Sequence, residues 1–307
     1  MDASILNYTV NDNVGEFLSK DKKLYINGKW IDTTSGKTFD VEDPATGKKI
    51  ATCAAGNSKD IDAAVKAARV AFDSGAWTDI PNNEKGKIIW KIGDLIDKHA
   101  EELAQLESLD NGKPVAVAGA ADVPLSSDIF RYMAGWATKI EGNTIPYSCL
   151  YTPGAKYHSY TLREPVGVCG LITPWNWPIN QISCKVAPAL AAGCTVILKP
   201  SEVAPLSSIV FTEILHDAGV PKGVFNLVHG DSKIGIAMSK HKDIDMISFT
   251  GSTKAGISVA INSANTVKRV TQELGGKSAN IILRDADFEK SFKKGVFACM
   301  SNSGQSC

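Results

Sequence analysis

The sequence predicts an α/β protein built on a doubly wound, parallel β-sheet, and three observations carry that prediction. From residue 166 onward, short apolar runs bounded by Gly or Pro alternate with segments of helical spacing. The runs are apolar at consecutive positions, which suits strands buried on both faces. Strand and helix keep alternating, and right-handed crossovers of that kind wind helices onto both sides of one sheet.

The elements follow in order. Residues 1 to about 20 are polar and patternless and read as a loose arm, without the basic stretch and apolar core of a secretory leader. Positions 25–30 read as a hairpin, because Asn27-Gly28 accepts the positive φ angles of a tight turn. Asp43-Pro-Ala-Thr-Gly47 is another turn. Ser58 caps a helix on which Ile61, Ala64, Val65, Ala68 and Phe72 share a face. A second helix is expected to run unbroken from about Glu84 through Ile88, Ile92, Leu95 and Ile96 to Leu109, until Asn111-Gly-Lys-Pro114 ends it. A third covers 123–140. The Tyr- and Thr-rich stretch 141–160 reads as a projecting hairpin, and two strands with so little core need a partner surface. Strands are then expected over 166–173, 195–199, 225–229 and 246–250, followed in turn by helices over 180–191, 206–217, 232–240 and 254–263. A last helix spans 288–300. The succession from 166 is that of a Rossmann-like unit.

Composition sets bounds on function. The chain has 307 residues, 44% hydrophobic and 21% charged, which is ordinary globular composition and long enough for two domains. Lys+Arg and Asp+Glu both number 33, so no net charge draws the chain to nucleic acid or an anionic membrane. No segment is long and apolar enough for a bilayer; 187–198, the best candidate, is short and carries Pro188 and Gly193. The odd count of seven cysteines and the chain length argue against a disulfide framework, and the absence of a Cys-x-x-Cys pair against a zinc site. A reducing, cytoplasmic setting fits that usage best.

Five segments could carry chemistry. Gly251-Ser-Thr-Lys-Ala-Gly256 follows a strand and opens a helix. There Gly251 permits a tight turn, Gly256 a close helix approach, and the free amides of the helix start suit a pyrophosphate. Alone this signal is weak, since many strand–helix turns need glycine. Lys199-Pro-Ser-Glu202 stands at the carboxyl end of a strand, where open α/β sheets bind ligands. A carboxylate at Glu202 can accept from ribose hydroxyls and would repel a 2′-phosphate, so NAD is favoured over NADP. Gly304-Gln-Ser-Cys307 presents a cysteine behind a flexible step, Glu273-Leu-Gly-Gly-Lys277 a base, and Pro174-Trp-Asn-Trp-Pro178 an amide able to hold an oxyanion. Each residue singly has a bland alternative: a buried thiol, a strand-end charge, a turn-forming Asn. As a set, in this order on one scaffold, they point to a single reaction.

Together these segments resemble the NAD(P)-dependent aldehyde dehydrogenase superfamily. The similarity extends through Asp43–Gly47, Leu109-Asp-Asn-Gly-Lys-Pro114, Gly135-Trp-Ala137, Arg163-Glu-Pro-Val-Gly167 and Phe249-Thr-Gly-Ser-Thr253, and so spans nearly the whole chain. The resemblance implies that Cys307 is the nucleophile, Asn176 the oxyanion donor, Glu273 the base for water, and Lys185 a relay for the proton Glu273 takes. It implies cofactor contacts from Lys199, Ser201, Glu202, Gly230, Gly251, Ser252, Gly256, Leu274, Trp175 and Thr173. It assigns 1–140 and 161–270 to a dinucleotide-binding domain, 141–160 to an oligomerisation hairpin of a homodimer or homotetramer, and 271–307 to the start of a catalytic domain. The substrate would be a small-molecule aldehyde, its entrance lined by Trp177 and Gln181. Three departures stand out. The loop Gly230–Gly235 is shorter than usual, Gln181 is more polar than an apolar tunnel prefers, and complete members continue well beyond the cysteine on which this sequence stops. Activity is therefore expected only with a carboxyl-terminal continuation. Acyl transfer to coenzyme A remains an alternative, which Glu273 disfavours; a cofactor-binding or interaction module ending at Cys307 is another.

Overall fold

The computed structural model describes residues 10–306, so the expected nucleophile, Cys307, lies outside the described residues. The amino-terminal part comprises α1 (Asp12–Ser19), the hairpin β1 (Leu24–Ile26) and β2 (Lys29–Ile31), and the hairpin β3 (Thr38–Asp43) and β4 (Lys48–Ala54). Helices α2 (Ser58–Asp73), α3 (Asn82–Lys98), α4 (Ala100–Asn111), α5 (Val115–Val117) and α6 (Val123–Trp136) follow, with a π-helical turn at Ala118–Asp122 before α6. After the small hairpin β5 (Thr144–Ile145) and β6 (Ser159–Tyr160) come β7 (Val168–Ile172), α7 (Pro178–Ala191), β8 (Thr195–Lys199), α8 (Leu206–Ala218), β9 (Phe225–Leu227), α9 (Ser232–Lys240), β10 (Met246–Gly251), α10 (Thr253–Ser263), β11 (Arg269–Leu274) and α11 (Phe288–Met300).

Seven strands form the main sheet in the order β11-β10-β7-β8-β9-β1-β2. All pairs from β11 to β9 are parallel, and the β1–β2 hairpin is added antiparallel at the edge. Strand residues alternate between two apolar layers, as the two-residue pleat requires. Val168, Ile172, Ile197 and Ile247 pack with Ile61 and Val65 of α2 and Met238 of α9. Cys169, Leu171, Val196 and Leu198 face the opposite layer with Ile89, Leu106, Phe130, Ile182 and Phe211, from α3, α4, α6, α7 and α8. Strands β7, β8 and β9 are covered on both faces, as the sequence predicts, whereas the edge strand β11 is exposed along one face.

Three expectations need correction. The loose arm contains α1, whose start Asn11 caps by accepting from the Val14 amide, and whose Val14 and Leu18 are buried. The single long helix is two, because His99 leaves helical geometry at φ −97° and ψ 17°. Helix α4 then buries residues all round its circumference, Glu107 and Asp110 included, so its apolar spacing carries no clear break. The third helix ends at Trp136 rather than 140. The 141–160 segment does pair antiparallel, through Thr144 with Tyr160 and Ile145 with Ser159.

Candidate active site

Parallel strands bring their carboxyl ends to one edge of the sheet. Because β8 and β9 lie on one side of β7 while β10 and β11 lie on the other, the strand order reverses between β7 and β10. Loops diverge at such a point and leave a cleft. A cavity of about 740 Å³ opens there, lined by Trp175 and Asn176 after β7, Lys185 on α7, Ser252 before α10, Glu273 on β11, and Gln305. A neighbouring cavity of about 920 Å³ lies at the ends of β8 and β9, lined by Glu202, Val203, Asp231 and Ile234 together with Lys37 of the β3 side.

The expected cofactor residues divide between these cavities. Trp175, Gly251, Ser252 and Leu274 line the first and Glu202 the second, whereas Thr173, Lys199, Ser201, Gly230 and Gly256 line neither. Lys199 Nζ donates to Glu202 Oε2 at 3.0 Å and to the Pro200 carbonyl at 3.1 Å. Ser201 spends its hydroxyl locally, accepting from the Val203 amide. Ser252 caps α10 by accepting from the Ala255 amide, and the first amides of the helix have no intrahelical acceptor. Gly256 behaves as expected: a Cβ there would lie 2.6 Å from Leu274 Cδ2, so its absence lets α10 settle on β11. Gly251 does not. It has no positive φ, and its reason for being glycine is the Phe249 ring, which a Cβ would meet at 2.6 Å.

Of the expected catalytic residues, Asn176, Lys185 and Glu273 line the first cavity. Lys185 is buried on α7 and donates to Ser248 Oγ at 2.9 Å. Burial pulls its ammonium down to about 8, with Cys184 and Glu273 acting in the opposite sense. Glu273 sits next to the last residue of β11, paired in register with Thr250, and is exposed at the cavity wall. Asn176 Nδ2 donates to the Gln305 carbonyl at 2.7 Å. That contact depends on a reversal after α11, where Asn302, Ser303 and Gly304 all have positive φ. Asn302 pins the turn from inside, its Nδ2 donating to the Asn176 carbonyl at 2.8 Å. Gln305 and Ser306, the residues preceding Cys307 in the sequence, line the same cavity as Asn176, Lys185 and Glu273.

Several residues of this site escaped the sequence reading. Asn111 Nδ2 donates to the Trp175 carbonyl at 2.7 Å, Lys113 Nζ to the Asn176 carbonyl at 3.3 Å, and Glu107 Oε1 accepts from the Ile179 amide at 2.9 Å. Lys113 Nζ also donates to Asp122 Oδ2 at 2.6 Å. Burial pushes Glu107 up to about 7 despite the nearby Lys113, and raises Asp122 as well. His229, buried after β9, is pushed down to about 3 by burial and by Lys199, and is therefore neutral. The Leu109–Pro114 stretch was the available signal for Asn111 and Lys113; nothing in the sequence marks Asp122 or Asn302.

A doubly wound sheet with clefts at its carboxyl edge defines the class of α/β unit that takes up nucleotides at its switch point. The aldehyde dehydrogenase family model matches residues 30–307, and the chain belongs to that family. It is 47% identical over 290 residues to aldehyde dehydrogenase 1 of Tanacetum cinerariifolium, covering 94% of this chain and 57% of the relative. It is 45% identical over 287 residues to the mitochondrial benzaldehyde dehydrogenase of Antirrhinum majus, covering 93% of this chain and 53% of the relative. The NAD+ complex of an aldehyde dehydrogenase from Bacillus cereus superposes with a TM-score of 0.94 at 46% identity, over 98% of this chain and 60% of that one. The chain thus spans roughly half to three-fifths of the length of these relatives.

Proposed function

We propose that this chain carries the nucleotide-binding part and the first catalytic groups of an NAD-dependent aldehyde dehydrogenase, which converts an aldehyde, NAD+ and water into a carboxylate and NADH. One observation carries the reading: Asn176, Lys185, Glu273 and the approach to Cys307 line a single cavity at the switch point of the sheet. The cleft suits a dinucleotide. The Ser252-capped start of α10 offers free amides to a pyrophosphate. Thr250 Oγ1, buried in the cavity wall, has no partner among the described residues. Glu202 beside Lys199 would receive the ribose hydroxyls and disfavour a 2′-phosphate.

An aldehyde carbon does not release hydride readily. Attack by the Cys307 thiolate forms a C–S bond and turns the carbonyl oxygen into an oxyanion, from which a hydride can leave. Asn176 Nδ2 receives that oxyanion, exchanging the neutral Gln305 carbonyl for a charged acceptor. Bound NAD+ supplies the two-electron acceptor. What remains on Cys307 is a thioester. Glu273 takes a proton from water, the resulting hydroxide adds to the acyl carbon, the C–S bond breaks to restore the thiolate, and the carboxylic acid leaves and gives its proton to solvent. Lys185, poised by burial to exchange a proton near pH 8, passes the proton taken by Glu273 onward. Water rather than coenzyme A is the acyl acceptor in this reading, because Glu273 faces the cavity. The β5–β6 hairpin, with Leu150, Tyr151 and Tyr160 exposed nearby, serves assembly into a homodimer or homotetramer. The test is NADH formation by the intact protein with NAD+ and an aldehyde panel. Turnover unchanged in Cys307→Ala would overturn the assignment.

A further inference from the structure

The loop that carries Asn176 has no internal means of fixing it. Residues 173–177 lie between β7 and α7, outside both, and Trp177, the residue before α7, makes no side-chain cap. Its backbone groups are instead held from outside, by the α4 end and the turn after it and, at the Asn176 carbonyl, also by Asn302 Nδ2 at 2.8 Å. Asn111 takes the Trp175 carbonyl, Lys113 the Asn176 carbonyl, and Glu107 the Ile179 amide. Lys113 is the hub. Its side chain is fully buried, with Asp122 Oδ2 at 2.6 Å, Glu107 Oε2 at 3.8 Å and the Trp177 ring centroid at 4.3 Å. Asp122 comes from the π-helical turn before α6, an irregularity that often accompanies functional geometry.

Burying one cation with two carboxylates is a poor way to gain stability, since apolar residues of similar volume commonly do as well or better. What such a cluster does supply is position: a charge with fixed partners can occupy only one place. We propose that Lys113 is a positioning residue for Asn176, its ammonium locking the Asn176 peptide so that the side-chain amide points at the reacting carbonyl oxygen. The inference rests on the function proposed above, in which Asn176 receives the oxyanion. Lys113 is buried and lines neither cavity, so it acts only through the loop. A misplacement of about 1 Å in such a donor is enough to cost about a hundredfold in rate.

The test is a double-mutant cycle in the intact enzyme, using Lys113→Met, Asn176→Ala and both together. The expected result is a ten- to hundredfold fall in kcat for Lys113→Met with KM for NAD+ unchanged, and no further fall when it is added to Asn176→Ala. Lys113→Arg, which keeps a buried cation but moves its donors, is carried through the same cycle and is expected to show a smaller loss of the same kind. It also keeps the test decisive if Lys113→Met does not fold. Losses that multiply in the double variant would overturn the proposal, as would wild-type kcat in both Lys113 variants. Wild-type kcat in Asn176→Ala alone would instead refute the function on which it rests.

Discussion

Lys185→Met is expected to stabilise the fold near pH 7 and to stop doing so near pH 10. The reason lies in where the ammonium is held. Burial lowers Lys185 from 10.5 to about 8, so the folded protein binds this proton less tightly than the unfolded chain does. Below about pH 8 both states are protonated and the whole cost is present, about 3 kcal/mol at ~1.4 kcal/mol per unit. Between 8 and 10.5 the unfolded state holds more protons, stability rises with pH, and the cost fades. Methionine fills a similar volume without charge and removes that cost. It also removes the hydrogen bond to Ser248 Oγ, a loss of about 1 kcal/mol. The net gain is then about 2 kcal/mol near pH 7 and close to zero near pH 10. Urea unfolding of wild type and variant at the two pH values measures it, because every titrating group that does not interact with Lys185 cancels in the difference. A variant less stable than wild type near pH 7, or a gain equal at both pH values, would refute the reasoning. On the proposed mechanism the same substitution slows turnover, which would explain why a destabilising charge is kept.

Three further outcomes follow from named contacts. Gly256→Ala places a Cβ 2.6 Å from Leu274 Cδ2 and is expected to cost about 1–3 kcal/mol by overpacking, with weaker NAD+ binding; unchanged unfolding and an unchanged calorimetric NAD+ titration would contradict the close-approach argument. Glu202→Ala removes the carboxylate next to Lys199 and should weaken NAD+ by about tenfold or more while leaving NADP+ less affected, so the ratio of the two dissociation constants narrows. Asn302→Gly keeps the backbone at ease at φ 52° but loses the bond to the Asn176 carbonyl, at about 1 kcal/mol, whereas Asn302→Ala adds backbone strain of about the same size. Faster amide hydrogen exchange in 301–306 for both variants, with Ala the faster, is the expected signature.

The central strands β7, β8 and β9 were legible in the sequence because they are buried on both faces and bounded by Gly and Pro, whereas β11, exposed along one face, was not expected as a strand. The edge hairpin was legible as a hairpin from Asn27-Gly28, but not as part of that sheet. Tyr25 pairs with Leu227, about two hundred residues away, and no local pattern encodes so distant a partner. The break at His99 was hidden because α4 is buried on nearly every side, which erases the alternation that would show where one helix stops. Asn176 and Glu273 were singled out because each lies in a motif with a chemical reading, Lys185 only through the family resemblance. Glu107 and Asp122 were missed because charged residues in a helical stretch read as solvated, and Lys113 because its segment was read as a helix-ending break; only their complete burial shows otherwise. Gly251 was singled out as a turn glycine, but a neighbouring ring rather than its own φ requires it.

The central claim is that the sulfur of Cys307 bonds to the carbon being oxidised while Asn176 and Glu273 act on the same adduct. Peptide mass mapping of the Glu273→Gln protein after incubation with NAD+ and an aldehyde tests this most directly. The account predicts an acyl group on Cys307, formed with at most one NADH per site and persisting because no base activates water. NADH released over many turnovers with Cys307 unmodified, or an acyl group carried by Cys184 or Cys299 instead, would contradict it.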